Sequence, residues 1–257
     1  MLNVLYAEMV KLKHTKILWL VIVGALPANL VSLFAFLPRM TPEGTQAGID
    51  LQDMFYRQGM LLVMMAPSIF ALMTAYMITR EYQERTINQL FSYPVSRVRI
   101  LAAKLLVVFG LIAATSVLSC VAVFAVGLFR LFQGHMEMDV ILLGARMNLM
   151  ICALSFGTVP VAAAVSLIGK SVIPAAVVGV TATIVTVVGE IGHGRGGILF
   201  PWLAPYWPVR ELAQGIADSS GPNPYVMPAM VILSLTFSLS LIFSVVYYAK
   251  ADVHSGS

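Results

Sequence analysis

"REYQERTINQLFSYPVSRVRILAAKLL", residues 80–106, is the longest polar-punctuated stretch in a chain that is otherwise mostly apolar. Its charges include Arg80, Glu81, Glu84, Arg85, Arg97, Arg99 and Lys104. Apolar runs lie on either side, at 59–78 and 105–131. A membrane span needs about 20 apolar residues, so the stretch reads as a short connector between two spans. That reading decides the fold.

Working outward, 59% of the 257 residues are hydrophobic, 11% are charged, and the mean hydropathy is +0.88. Soluble domains carry about 25% charged residues; this chain has too few to cover a water-facing surface. Six segments qualify as spans: 17–37, 59–78, 105–131, 141–168, 172–188 and 226–248. The third and fourth are long enough to tilt or to project from the bilayer. The first begins after Lys16, exceeds the usual signal-peptide core of about 7–15 residues, and ends without a small-x-small cleavage pattern. It reads as a span. Cys120 and Cys152 fall inside apolar runs and read as small buried hydrophobes, not a disulfide. The longest loop, 189–225, is too short for a soluble domain, and no internal repeat of the inverted-repeat kind is visible. One domain, 1–257, is expected.

Basic residues orient the spans. With the N-terminus inside, ten of the 16 Lys and Arg are cytoplasmic, including every lysine. The six outside are Arg39, Arg57, Arg130, Arg146, Arg195 and Arg210, whereas eight of the 12 acids fall outside. The positive-inside rule therefore places both termini in the cytoplasm. The same asymmetry explains the basic isoelectric point near 9.1 without nucleic acid. Before the first span, Leu2, Leu5, Met9 and Leu12 recur at helical spacing, with Glu8 and Lys11 to one side. Residues 1–16 thus read as an amphipathic helix in the inner interface.

Within the connector, Glu81 and Arg85 stand four apart, in the favourable acid-first order for a helical pair. Ile87, Leu90 and Phe91 follow i, i+3, i+4 spacing, while Asn88 and Gln89 point elsewhere. A short amphipathic helix is expected to about Ser92, where Pro94 ends it. Ser96 then caps the next helix, and Arg97, Arg99 and Lys104 sit where lipid phosphates lie. The Ile/Leu/Phe patch is either a docking surface or a face dipped into the inner leaflet.

This stretch resembles the signature connector of ABC-2-type permeases: acidic helix end (Glu81, Glu84), T-x-x-x-L (86–90), P-V-S-R (94–97), then K-L at Lys104. The N-terminal "AEMVKLKHTKILWL", residues 7–20, is similar to the start of the bacitracin-exporter and lantibiotic-immunity branch. The resemblance implies an all-α membrane protein of six spans, with an N-terminal elbow helix and, within connector 79–104, a cytoplasmic coupling helix between spans two and three. It implies that Glu81, Glu84, Arg85, Thr86, Ile87, Asn88, Gln89, Leu90 and Phe91 meet a separate ATP-binding subunit. Two such subunits, carrying ATP and Mg, would work with two permeases, this chain and a second copy or a related one. Pro94, Ser96, Arg97, Arg99 and Lys104 would form the connector turn and membrane interface, and Lys170 a second cytoplasmic contact. The implied function is export of an amphipathic substrate, such as a peptide antibiotic, through the cytoplasmic membrane of a prokaryote. The chain itself would be no enzyme and hold no cofactor or metal.

Other motifs dissolve on inspection. Gly169-Lys170-Ser171 ends like a phosphate-binding loop, but Ala164 stands where the first glycine is required and no strand context exists. Glu190 and His193 supply two potential ligands where a metal site wants three or more. The span middles hold no acid or histidine, which weighs against proton-coupled transport and intramembrane hydrolysis. A secondary transporter would need such groups or broken helices at mid-depth. A membrane enzyme acting on lipid-linked substrates would have only the loop 190–195 to draw on.

"FPWLAPYWPVRELAQG", residues 200–215, carries Trp202, Tyr206 and Trp207 among three prolines. Such aromatics settle at headgroup level, so a re-entrant or interfacial element is expected within 189–225, either an exit gate or an anchor. Ala175, Gly179 and Thr183 repeat every four residues in the fifth span. Small residues permit close helix packing, within one subunit or between two.

Overall fold

The computed structural model describes residues 2–13, 15, 17–33, 39–41, 44–46, 51–87, 95–132, 138–192, 195–214 and 222–250. The protein is an all-helical membrane bundle. Its helices are α1 (Leu2–Leu12), α2 (Ile17–Leu33), α3 (Leu51–Gln83), α4 (Arg97–Ser119), α5 (Val121–Phe132), α6 (Met138–Ser155), α7 (Val159–Gly169), α8 (Val172–Gly192), α9 (Tyr206–Ala213) and α10 (Val226–Lys250). A small antiparallel ladder pairs Arg39–Thr41 with Gly44–Gln46, Met40 opposite Thr45. Among the described residues five elements are long and apolar enough to cross a membrane: α3, α4, α6 with α7, α8 and α10. A sixth results when α1 and Ile17–Val31, bent by 73°, are taken as one.

α3 is the central post. It extends well beyond the expected span on both sides, 33 residues against a bilayer requirement of about 20. Met73 and Phe70 pack it against α2 and α4, and Leu51, Met54 and Phe55 bury its other end. Lipid chains are as apolar as leucine, so close fit rather than the hydrophobic effect holds such helices together. The small-residue stripe of α8 shows this. A Cβ added at Gly179 would lie 2.7 Å from Ala71 Cβ and 3.0 Å from the Pro67 carbonyl oxygen. The stripe therefore serves packing within the subunit, against α3. Pro67 interrupts the α3 hydrogen-bond ladder, and the Ser68 amide next to it donates to Thr183 Oγ1 at 3.2 Å.

Two expected continuous spans prove to be broken. The third ends its regular helix at Ser119, turns at Cys120 and resumes at Val121. Asn29 of α2 fastens the break: Nδ2 donates to the Leu118 carbonyl at 2.8 Å, and Oδ1 accepts from the Ala122 amide at 3.0 Å. Gln58 Nε2 of α3 adds a buried bond to Ser119 Oγ at 3.2 Å. The fourth span tightens into a 3-10 turn at Phe156–Thr158 before α7, with Pro160 in the first turn that follows. Apolar composition alone is blind to both breaks, because the residues on either side of each remain hydrophobic.

Candidate functional site

α1, the C-terminal end of α3 and the N-terminal end of α4 meet in a buried ionic cluster. Lys104, in the second turn of α4, donates to Glu81 Oε1 at 2.5 Å, to Glu8 Oε2 at 3.1 Å and to the Met77 carbonyl at 3.2 Å. An ammonium has three protons, and here each has an acceptor. Lys11 Nζ adds bonds to Glu8 Oε1 at 2.7 Å and Glu81 Oε1 at 3.4 Å. Two carboxylates and two ammoniums make the cluster neutral. Lys104, Glu8 and Glu81 are all buried, and Glu81 Oε2 is left without a partner. Burial raises the Glu8 carboxyl, but the charges of Lys104 and Lys11 and their hydrogen bonds outweigh this and hold it below its ordinary value. Burial likewise lowers the Lys11 ammonium while Glu8 and Glu81 raise it, the net direction being upward.

This arrangement corrects three expectations. Lys104 does not reach for lipid phosphates; its ammonium is turned into the bundle, where two carboxylates replace water. Glu81 does not pair with Arg85. α3 ends at Gln83, and Arg85 takes a left-handed conformation with φ of 56°, which carries it away from Glu81. Arg80 pairs instead with Glu84, Nε to Oε1 at 2.9 Å, while its Nη1 reaches the Lys11 carbonyl at 3.4 Å. Third, the amphipathic stripe of α1 is rotated. Leu5 and Leu12 pack on the core beside Glu8, whereas Leu2 and Met9 are exposed together with Tyr6 and Val10. The face of α1 that carries Glu8 is turned to the bundle, and these four apolar residues are turned away from it.

Of the remaining connector residues, Glu84 and Arg85 are exposed, Thr86 is half-buried and Ile87 is buried. Asn88, Gln89, Leu90, Phe91 and Pro94 lie outside the described residues. Ser96 does stand at the N-cap of α4, but through its backbone: its carbonyl accepts from the Arg99 amide at 3.0 Å and its side chain makes no capping bond. Arg97 Nη1 reaches the Ala249 carbonyl at the end of α10, at 3.4 Å, and Arg99 is exposed. Lys170 is exposed in the tight turn between α7 and α8, with φ of 46°. Glu8 and Lys11 were the members of the cluster that sequence reading set aside. An acid on the otherwise apolar face that follows Val4 and Leu5 was the available signal.

At the opposite end, Tyr206 and Trp207 are buried in protein, and Trp202 is half-buried. The first two therefore face protein rather than lipid. Tyr206 donates a short hydrogen bond to Glu190 Oε2, and Arg210 Nη1 reaches the same phenol oxygen at 3.3 Å. The Arg210 guanidinium carbon also lies 5.7 Å from the Trp207 ring centre. Burial, then the Glu190 contact, pushes the Tyr206 phenol up. Glu190 was expected in a solvated loop; it ends α8 and pins α9. His193 lies outside the described residues. A short helix, α9, lies between α8 and α10. Among the described residues no group of three His, Cys, Asp or Glu could hold a metal.

Residues 4–188, from α1 through most of α8, match the family described as ABC-2 family transporter protein. The chain is also 26% identical over 195 residues, 76% of this chain and 88% of the relative, to the bacitracin transport permease protein BCRB of Bacillus licheniformis. The matched region contains both halves of the ionic cluster and the connector between them. The chain belongs to the ABC-2 family of transporter proteins.

Proposed function

We propose that this chain is the membrane subunit of an ATP-driven exporter, with ATP and Mg bound on separate ATP-binding subunits that dock beneath connector 79–104. The observation that carries the reading is the Glu8–Lys11–Glu81–Lys104 cluster. It joins the elbow helix to the helix entering the connector and to the helix leaving it. A push on the connector is then delivered to three elements at once instead of being absorbed by a flexible loop. Residues 84–91 are the docking segment, and Glu84 and Arg85, both exposed, are its accessible charges. Glu81 serves the joint from inside and Lys170 adds a second contact. Both termini are cytoplasmic, and a second permease copy or a related permease completes the assembly.

The cargo in this reading is an amphipathic peptide antibiotic, in line with the relative named for bacitracin transport. The part-buried Tyr206–Glu190–Arg210 contact ties α9 to the end of α8 and suits this outer element to gating. The alternative, an ion-coupled transporter, draws on the broken spans at Cys120 and at Phe156–Thr158. Neither break brings a carboxylate, imidazole or cation with it in sequence, so neither supplies a titrating side chain for proton coupling.

The test is purification of the tagged protein in mild detergent from its native membrane, with every co-purifying chain identified. A stoichiometric ATP-binding protein that is lost in Phe91→Asp, with membrane insertion unchanged, is the expected result. A chain that purifies alone and still moves its substrate without ATP would overturn the reading.

A further inference from the structure

A cavity of about 650 Å³ lies between α4–α5 and α6, at the end of the bundle away from the ionic cluster. Val117, Phe124 and Leu149 give it apolar walls, and Val117 and Leu149 are exposed on the lipid-facing surface. Two polar residues interrupt this lining. Asn148 is only 7% exposed, yet its Nδ2 has no hydrogen-bond partner among the described residues. Ser116, also buried, has a hydroxyl oxygen with no hydrogen-bond partner among the described residues. A half-turn of the carboxamide exchanges nitrogen and oxygen, so Asn148 can present its donor to whatever occupies the cavity. In hydrocarbon no water is at hand to satisfy that donor. No Lys, Arg, Asp or Glu lines the cavity, which makes it unsuited to a charged headgroup.

Depth narrows the occupant. Ser116 stands 19 residues beyond Arg97, roughly 28 Å at about 1.5 Å per residue, and Asn148 stands 22 residues before Lys170, roughly 33 Å by the same rise. The hydrocarbon core is about 30 Å thick. Counted from either Arg97 or the start of the apolar run at residue 105, both polar groups lie in the far half of the hydrocarbon, in the leaflet opposite the ionic cluster.

We propose that this cavity is a binding site for a glycerolipid of that leaflet, with an ester carbonyl accepting from Asn148 Nδ2 and the acyl chain lying along Val117, Phe124 and Leu149. The chain enters from the bilayer side, where the exposed residues leave the cavity open. The bond meets an amide that the protein's own groups leave unsatisfied. The site stands independently of the cargo and of the ATP-binding subunit.

The protein in nanodiscs, doped with a phosphatidylglycerol carrying a diazirine on its acyl chain, tests this by peptide mapping after photolysis. Labelling is expected within residues 113–128 and 145–152. Asn148→Leu should lower it about five-fold, the fold-change of one ordinary hydrogen bond, and a diether probe without carbonyls should lose as much. Labelling around Leu239, on the exposed face of α10, should not change. Ala145→Trp, at an exposed lining position, keeps the test decisive if Asn148→Leu folds poorly: it should block labelling without altering the melting temperature. Equal labelling by diester and diether probes would overturn the ester site. So would crosslinks in the cavity that run between two copies of the chain, or displacement of the lipid label by bacitracin, which would assign the cavity to a partner copy or to cargo.

Discussion

Lys104 Nζ lies 2.5 Å from Glu81 Oε1, and the two residues sit on either side of the connector, one in the last turn of α3 and the other in the second turn of α4. Their bond closes the connector into a loop of fixed width. Glu8 on the same ammonium ties α1 to that loop. Removing one member of a buried ion pair costs about 3–5 kcal/mol, because the partner charge is stranded without water. Lys104→Met should lower the thermal midpoint in detergent and expose α1 to trypsin at Lys11 and Lys13. Glu81→Gln in the same chain should recover much of the loss, since one stranded carboxylate is removed while the Glu8–Lys11 pair remains. A single variant that melts like the wild type would mean that the cluster does not hold the elbow.

Proton linkage gives a second prediction. The Glu8 carboxyl is held below its ordinary 4.5, because its two lysine partners outweigh the burial that would raise it. A carboxylate with a lowered folded value stabilises fully above its unfolded value and loses that contribution as the pH falls through the folded one. Docking of α1 should therefore weaken on acidification below 4.5. Trypsin release of α1 after brief exposure to graded acid, read at neutral pH under quench, should show this in the wild type. Glu8→Gln should release α1 more readily at neutral pH and show a flatter acid dependence; an identical acid profile in both proteins would remove Glu8 from the linkage.

The membrane class, the number of spans within one bent pair, and the family were legible in the apolar runs and the connector residues. The joint was not. Periodicity ranks a helix face by its apolar residues, so it grouped Leu2, Leu5, Met9 and Leu12 in one interfacial stripe and set Glu8 to its side. In the structure that stripe divides, since Leu5 and Leu12 pack on the core beside the partners of Glu8 while Leu2 and Met9 are exposed with Tyr6 and Val10. Lys104 misled for a related reason: a lysine just inside a span ordinarily reaches outward, and only the spatial meeting of α1 with α3 gives it carboxylates to turn toward. The Cys120 break escaped because its fastening, Asn29, lies 91 positions away in sequence.

Close packing of α8 on α3 is open to a direct check. Thr183→Val keeps shape but removes the part-buried bond from the Ser68 amide, and an ordinary hydrogen bond contributes about 0.5–1.5 kcal/mol. Gly179→Val should cost more, since even a Cβ meets backbone at 3.0 Å and the two helices must part. Thermal midpoints should order as wild type, Thr183→Val, Gly179→Val. If Gly179→Val leaves stability unchanged but abolishes self-association, the stripe belongs to a dimer contact and its assignment to α3 packing is wrong.

The Asn29 clasp bears on movement. Its carboxamide supplies both a donor and an acceptor to a backbone break, holding α4 and α5 at one angle. Asn29→Leu keeps the volume and removes both bonds, freeing the Ala122 amide and the Leu118 carbonyl. Hydrogen exchange over residues 120–124 should accelerate, while the amides around Lys104, held by the ionic cluster at the other end of α4, should keep their protection. The two ends of α4 would then be independent fixtures, one ionic and one amide-based. Exchange that rises equally along the whole helix would instead make the break and the cluster one cooperative unit, and unchanged exchange over residues 120–124 would show that Gln58 and helix packing hold the break without Asn29.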